Sequence, residues 1–368
     1  MKVGILTFHM AHNYGAMLQA YALNSYMQEL GVQSEVIDYR LEYIDRWHRN
    51  PRRKELVKQN GFVVGMLKWI RRCFCGYYSQ NGKKCRFENF MTKEMGISPT
   101  VCKEDFESGN IDYDLILFGS DQIWNADLTG GICKEYFGGF SSKAIKVSYA
   151  ASKGEYSFFN KLDEYKKLLN NLDMIGVREK ALEKEIKEMG LHSAETVIDP
   201  TLLISKEQWE RMANSNYRQD LKDYILMYSI KEDQRMLDLA REIAVKENKH
   251  IVYIVYEKKE LNDICQIDDA GPKEFLELFR RADKVITNSF HGTCFSILFE
   301  REFLVVEKME GDSRIRSLLS DLDLMDRIVS KKHLHAETID YVTVKHKLED
   351  KKLFSKKFIE KAISLVKV

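Results

Sequence analysis

The sequence predicts an α/β fold of two doubly wound, Rossmann-like domains facing each other across a cleft. Three observations predict it. Short apolar segments rich in β-branched residues alternate with segments of helical spacing along most of the chain. The alternation breaks over a polar stretch, Ser205 to Lys222, and then starts again. At 368 residues the chain is too long for one ordinary open sheet and suits two domains of similar size. The division is 1–204 for the first domain, 205–222 for a linker, 223–345 for the second domain and 346–368 for a closing helix that packs back on the body.

In the first half, residues 2–8 are a nearly continuous apolar run and read as a buried parallel strand. A polar loop, His9 to Gly15, leads into a helix of about four turns through Leu30, with Met17, Leu18, Tyr21, Leu23, Met27 and Leu30 at helical spacing and Gly31 as its cap. Ser34 to Tyr39 is the next strand. Only Gly15 stands in this βαβ turn, where a dinucleotide fold needs three glycines, so Asp38 reads as an ordinary loop acid. The loop Asn13-Tyr14-Gly15 is still a natural place for an anion. His9 and His12 have no third ligand in view and read as hydrogen-bonding groups rather than a metal pair.

Tyr113 to Phe118 is a strand that ends in Gly119-Ser120-Asp121-Gln122, either an anion cradle or a helix cap made by Asp121. Trp124 and Asn125 follow directly. Lys146 to Ala150 and Met174 to Val177 are further strands. Arg178, at the mouth of the latter, is placed to clamp a carboxylate or phosphate, or to pair with Glu179 or Glu183. Asp199-Pro200-Thr201 reads as a turn closing the first half.

The second half runs strand 224–230, helix 232–247, strand 250–256, helix 272–282, strand 284–288, helix 293–299, strand 303–307. Its organising stretch is Lys284 to Thr293: a β-branched strand, the tight turn Asn288-Ser289-Phe290-His291-Gly292, then a helix. His291 on that turn either moves a proton near neutral pH or caps the helix, and Gly292 lets the backbone approach a ligand. Gly311 to Arg316 opens a further helix. In the tail, Leu353, Phe354, Phe358, Ala362, Ile363 and Val366 lie at spacings of one helical face.

Hydrophobic content of 44% and charged content of 31% are those of a soluble globular protein. The formal charge of +1 conceals an asymmetry: residues 46–86 carry twelve Lys or Arg against one acid, Glu55, a local +11 that leaves −10 elsewhere. This basic insertion, amphipathic over 62–74, either touches an anionic membrane surface or acidic partner, or is a solvated helical insertion on the first domain. Nucleic acid is disfavoured, since the remainder is acidic and carries no recognition module. Seven cysteines without regular spacing point to a reducing compartment, and Cys73, Cys75, Cys85 and Cys102 read as scattered thiols. No segment reads as a signal peptide or a membrane span, so a cytoplasmic location, peripheral at the inner face of the membrane if the insertion binds it, is expected.

Six of these loops, in order, resemble the polysaccharide pyruvyl transferases. They are the opening from Gly4 to Leu23 with Asn13-Tyr14-Gly15, then Phe118 to Asn125, Ser148 to Ser152, Val177-Arg178-Glu179, Asp199-Pro200-Thr201 and Thr287 to Thr293. The resemblance implies a two-domain fold like the GT-B glycosyltransferases, with phosphoenolpyruvate as donor substrate between the halves and no cofactor. It implies transfer of the enolpyruvyl unit to sugar hydroxyls of a surface polysaccharide or lipid-linked glycan, giving a ketal and phosphate. His291 is then the expected general acid and Arg178 the donor-holding group, with Asp121 as an acceptor of the hydroxyl proton. Asn13, Tyr14, Gly15, Ser120, Asn288, Ser289, Phe290 and Gly292 would line the substrates, and Trp124 would stack on a sugar. Some family members carry an Arg where this chain has Ser289, so Arg314 or Arg316 is expected to supply the second guanidinium. The rival expectations are a nucleotide-sugar glycosyltransferase of the same fold and a non-catalytic glycan-binding relative.

Overall fold

The computed structural model describes residues 1–44, 61–64, 66–67, 81–307, 311–329 and 338–366. Expectations that fall on Cys73, Cys75 and most of the basic insertion lie outside the described residues.

Seven parallel strands form the first sheet: β1 (Lys2–Leu6), β2 (Gln33–Tyr39), β3 (Ile97–Val101), β4 (Leu115–Phe118), β5 (Ile145–Ala151), β6 (Met174–Val177) and β7 (Ala194–Thr196). Their spatial order is β3-β2-β1-β4-β5-β6-β7. The second sheet holds β8 (Tyr224–Tyr228), β9 (His250–Ile254), β10 (Cys265–Ile267), β11 (Lys284–Thr287) and β12 (Glu302–Val305), ordered β10-β9-β8-β11-β12. All pairs are parallel, and β4 and β8 are buried along their whole length, as sheets covered by helices on both faces require. Each sheet reverses its winding once, between β1 and β4 and between β8 and β11. Ligands of open α/β sheets bind outside the carboxyl ends of the strands at such points.

One apolar core runs through both halves. Tyr14 stacks on Phe275 at 4.5 Å and donates its hydroxyl to the Ala270 carbonyl at 2.8 Å. The helix Asn81–Lys93, at the end of the basic insertion, reaches the second half through Arg86, which donates to the Asp269 carbonyl at 2.8 Å and to its carboxylate at 3.0 Å. Residues 205–222 are not a free linker: they contain the helix Lys206–Met212, whose Trp209 is buried between Tyr21 and Phe295 with its indole N–H on the Thr201 carbonyl. A buried indole at the crossing point ties the domains more firmly than a polar tether would.

The last helix, Tyr341–Leu365, returns across the first sheet. Ile198 N–H donates to Ser355 Oγ at 3.0 Å, and Phe358 lies so close over Gly176 that a Cβ there would meet its ring at 2.9 Å. Its buried face is Val344, Leu348, Ser355, Phe358, Ile359 and Ala362; Leu353 and Phe354 are exposed, so the seam is rotated from the one the spacing suggested. Among the described residues no helix is long and apolar enough to cross a membrane.

Candidate active site

The site is built where β11 gives way to a helix. Thr287 Oγ1 donates to the Tyr228 carbonyl at 2.7 Å, and Ser289 caps the helix Phe290–Leu298 by accepting from Gly292 N–H at 3.3 Å. The helix therefore starts three residues before the sequence reading placed it, and His291 sits in its first turn. Gly292 serves packing: a Cβ there would lie 2.3 Å from Thr287 Oγ1 and 3.1 Å from Tyr228, so the glycine closes the helix on its own strands and does not face a ligand. Asn288 is likewise structural, accepting from Ile230 N–H and donating to the Lys231 carbonyl.

From the opposite half, Asn13 caps the helix Tyr14–Glu29 by accepting from Ala16 N–H. Gly15, in that first turn, is pressed against the imidazole: a Cβ would lie 2.0 Å from His291 Nδ1. The ring is thus wedged between domains. Its Nε2 stands 3.6 Å from Asp199 Oδ2, an ion-pair distance too long for a hydrogen bond, and has no hydrogen-bond partner.

Asp199 is the pivot beneath the ring. Its Oδ1 accepts from Thr201 N–H at 3.0 Å and Thr201 Oγ1 at 2.7 Å; its Oδ2 accepts from Ser120 Oγ at 3.0 Å and lies 3.1 Å from Arg178 Nη2. Full burial by itself would raise this carboxyl, but Arg178, His291 and Thr201 overcome it and hold it well below the usual carboxylate range. Asp199 is therefore a fixed negative charge facing both the imidazole and a guanidinium. Arg178 also donates to Ser120 Oγ and lies 3.9 Å from Asp121 Oδ1, while its Nε and Nη1 are buried without partners. Unsatisfied guanidinium donors in a desolvated site are costly unless an anion takes them up.

Phe290 is flanked by two guanidiniums, with Arg178 Cζ at 4.8 Å and Arg314 Cζ at 5.8 Å from its ring centroid. Arg314 is buried in a fork with Asp312, at 2.9 Å and 2.6 Å. Glu179, 1% exposed, accepts from Ser152 Oγ but leaves Oε2 without a partner. Burial pushes its carboxyl up to about 7, against the pull of Arg178, Ser152 and Arg314.

A cavity of about 380 Å³ between the halves brings together Asn13, Asp121, Ser289, Phe290, His291 and Arg314. Gly15 abuts His291, and Arg178 and Ser120 adjoin Asp121 and Asp199. Asp121, with φ of 71°, accepts from Gln122 N–H at 2.8 Å, a local turn bond; it caps no helix. Arg178 opens on the neighbouring cavity of about 540 Å³, which shares Phe290 and Arg314 with this one. Besides Asn288 and Gly292, three more proposed residues stand elsewhere. Tyr14 is spent on the domain interface, and Trp124 is buried with its ring stacked on Phe137 and its N–H on the Tyr136 carbonyl, which leaves no face for a sugar. Arg316 is half-exposed and paired with Glu307 at the surface.

Sequence reasoning passed over Asp199 as a turn residue; Asp-Pro-Thr, three residues past β7, signals the local cap in which Asp199 accepts from Thr201 N–H, but not its burial. It also passed over Gln19, which donates to Thr7 Oγ1 and the Phe8 and Ala16 carbonyls while accepting from Ser120 N–H, joining the loops after β1 and β4 to the helix Tyr14–Glu29. His9 pairs with buried Asp38 at 2.9 Å, which is also held by Arg40 and Thr100, so this imidazole supports the loop from behind. Among the described residues no three His, Cys, Asp or Glu side chains converge as metal ligands do.

The family model described as polysaccharide pyruvyl transferase matches residues 13–307. No curated protein matches the chain. Among solved structures, the UDP-N-acetylglucosamine 2-epimerase of Rickettsia bellii is similar at 12% identity and a TM-score of 0.54, over 100% of this chain and 97% of that one. A Listeria monocytogenes protein assigned as a UDP-N-acetylglucosamine 2-epimerase is similar at 12% identity and a TM-score of 0.52, over 96% of this chain and 90% of that one. At such identities the likeness is one of fold: an α/β architecture of the GT-B type.

Proposed function

The chain belongs to the polysaccharide pyruvyl transferase family, whose members are transferases of polysaccharide biosynthesis, and from that premise we propose that it moves the enolpyruvyl unit of phosphoenolpyruvate onto hydroxyls of a glycan precursor. The observation that carries this reading is the imidazole of His291, wedged in the inter-domain cavity with Nε2 unpartnered, 3.6 Å from a buried carboxylate.

His291 as imidazolium, with Asp199 as its counter-charge, delivers a proton to the methylene carbon of the donor. The central carbon becomes electrophilic, and a sugar hydroxyl adds to it, giving up its proton. Phosphate then leaves with the C–O bonding pair, and a second hydroxyl closes the ketal, returning a proton to the imidazole. Arg178, through Nε and Nη1, takes up the donor's anionic oxygens, and Arg314, its guanidinium also near the Phe290 ring, supplies the second cation where Ser289 stands in place of the Arg of some relatives. Asp121 is the candidate acceptor for the attacking hydroxyl's proton, being 9% exposed and on the cavity wall.

The test is phosphate release from phosphoenolpyruvate across a panel of glycan precursors. Release that depends on an acceptor, and that falls at least about a hundred-fold in His291→Ala, is expected. Undiminished acceptor-dependent release by that variant, or consumption of a nucleotide sugar instead, would overturn the proposal.

A further inference from the structure

The inter-domain cavity has two unlike walls. Its floor is polar, with His291, Arg314 and Asp121, but its solvent-open lining, apart from Gln122 and Asp127, consists of large apolar side chains. These are Tyr43 (39% exposed), Leu128 (44%), Ile230 (38%) and Tyr256 (57%). Each follows the carboxyl end of a different strand, β2, β4, β8 and β9, so two come from each half. Exposed apolar groups gathered at one concave site mark a place where something binds.

The two tyrosines are held in place. Lys83 Nζ lies 4.3 Å from the Tyr256 ring centroid and 3.5 Å from the Val255 carbonyl, so one face of that ring carries a cation. Tyr43 rests on Gly130, where a Cβ would meet its ring at 2.4 Å; Gly130 has φ of +72°, so a side chain there is disfavoured twice over.

We propose that Tyr256, with Tyr43 opposite on the other half, is the platform for the acceptor: a pyranose ring lies with a C–H face on the Tyr256 ring and its hydroxyls turned down to the polar floor. This rests on reading the cleft as that of a glycan-modifying transferase. A pyranose fits these walls because it is apolar on its faces and polar around its rim, like the cavity itself. Trp124, the residue the sequence offered for this role, is unavailable to a ligand, whereas Tyr256 is the most exposed aromatic ring on the cavity wall.

Saturation-transfer NMR with methyl β-D-galactopyranoside, methyl β-D-glucopyranoside and methyl α-D-mannopyranoside tests this without any donor, so it reads the subsite even if phosphoenolpyruvate is not the donor. Transfer to the C–H protons of at least one glycoside is expected, about ten-fold weaker in Tyr256→Ala and retained in Tyr256→Phe. In turnover, the KM for the glycan acceptor should rise about ten-fold in Tyr256→Ala while the KM for phosphoenolpyruvate stays within two-fold. Equal transfer in wild type and Tyr256→Ala, no transfer to any glycoside, or a change confined to the donor KM would overturn the inference.

Discussion

Gly15→Ala is the sharpest probe of how the imidazole is positioned. The new methyl carbon would stand 2.0 Å from His291 Nδ1, 2.4 Å from Cγ and 2.6 Å from Cε1. Ordinary contact between such atoms needs about 3.5 Å, so the ring must retreat by about 1.5 Å or the two domains must part. Misplacing a reacting group by 1 Å costs about a hundred-fold in rate. Gly15 lies within a helix, where alanine is intrinsically better by about 0.5–1 kcal/mol, so the fold has a reason to tolerate the change. The expected result is a kcat for phosphate release lowered about a hundred-fold, with a melting temperature shifted by only a few degrees. If Gly15 acts solely through the ring, Gly15→Ala in a His291→Ala background should add nothing further. A Gly15→Ala enzyme with kcat within three-fold of wild type would refute the reasoning, because the ring would then not need its observed seat.

Three more outcomes follow from the same geometry. The raised carboxyl of Glu179 means that the folded protein holds this proton more tightly than the unfolded chain, so its contribution is present below the ordinary glutamate value and is lost as pH rises towards about 7. Stability of wild type relative to Glu179→Gln should therefore fall by about 3 kcal/mol between pH 4 and pH 8, and parallel denaturation curves across that range would count against it. Arg178→Lys replaces a planar fork by a single ammonium, and the KM for phosphoenolpyruvate should rise at least about ten-fold in steady-state assays. Trp209→Ala opens a hole between the domains and should cost about 3–5 kcal/mol in urea unfolding.

Much of this arrangement was legible in the chain because its loops sit at strand ends. His291, Arg178, Asn13 and Asp121 each follow an apolar run closely, and a doubly wound fold gathers all such positions at one edge. What escaped has physical causes. The edge strand β3 contains Pro99 and little apolar sequence, since an edge needs only one bonded side, and the three-residue β10 is masked by its acidic neighbours. Trp124 follows a polar loop and so reads as exposed; only the partner 13 residues on, Phe137, reveals that it is core. Asp199 looked like a turn because its own cap with Thr201 is local, while Ser120, Arg178 and His291 reach it from far along the chain. Tyr43 and Tyr256 gave no periodic signal at all, as residues left open for a ligand have no packing pattern to announce them.

The returning helix has a consequence for biosynthesis. The face of the first sheet at Tyr149 and Gly176 is roofed by Phe358, a residue the ribosome delivers about 180 positions after Gly176. The first sheet therefore waits through about 180 further residues with that roof missing, and at 5–20 residues per second the wait is about 10–40 s. Nascent chains stalled before residue 341 should accordingly bind chaperones and be cut by protease in their first half, while released chains should resist both.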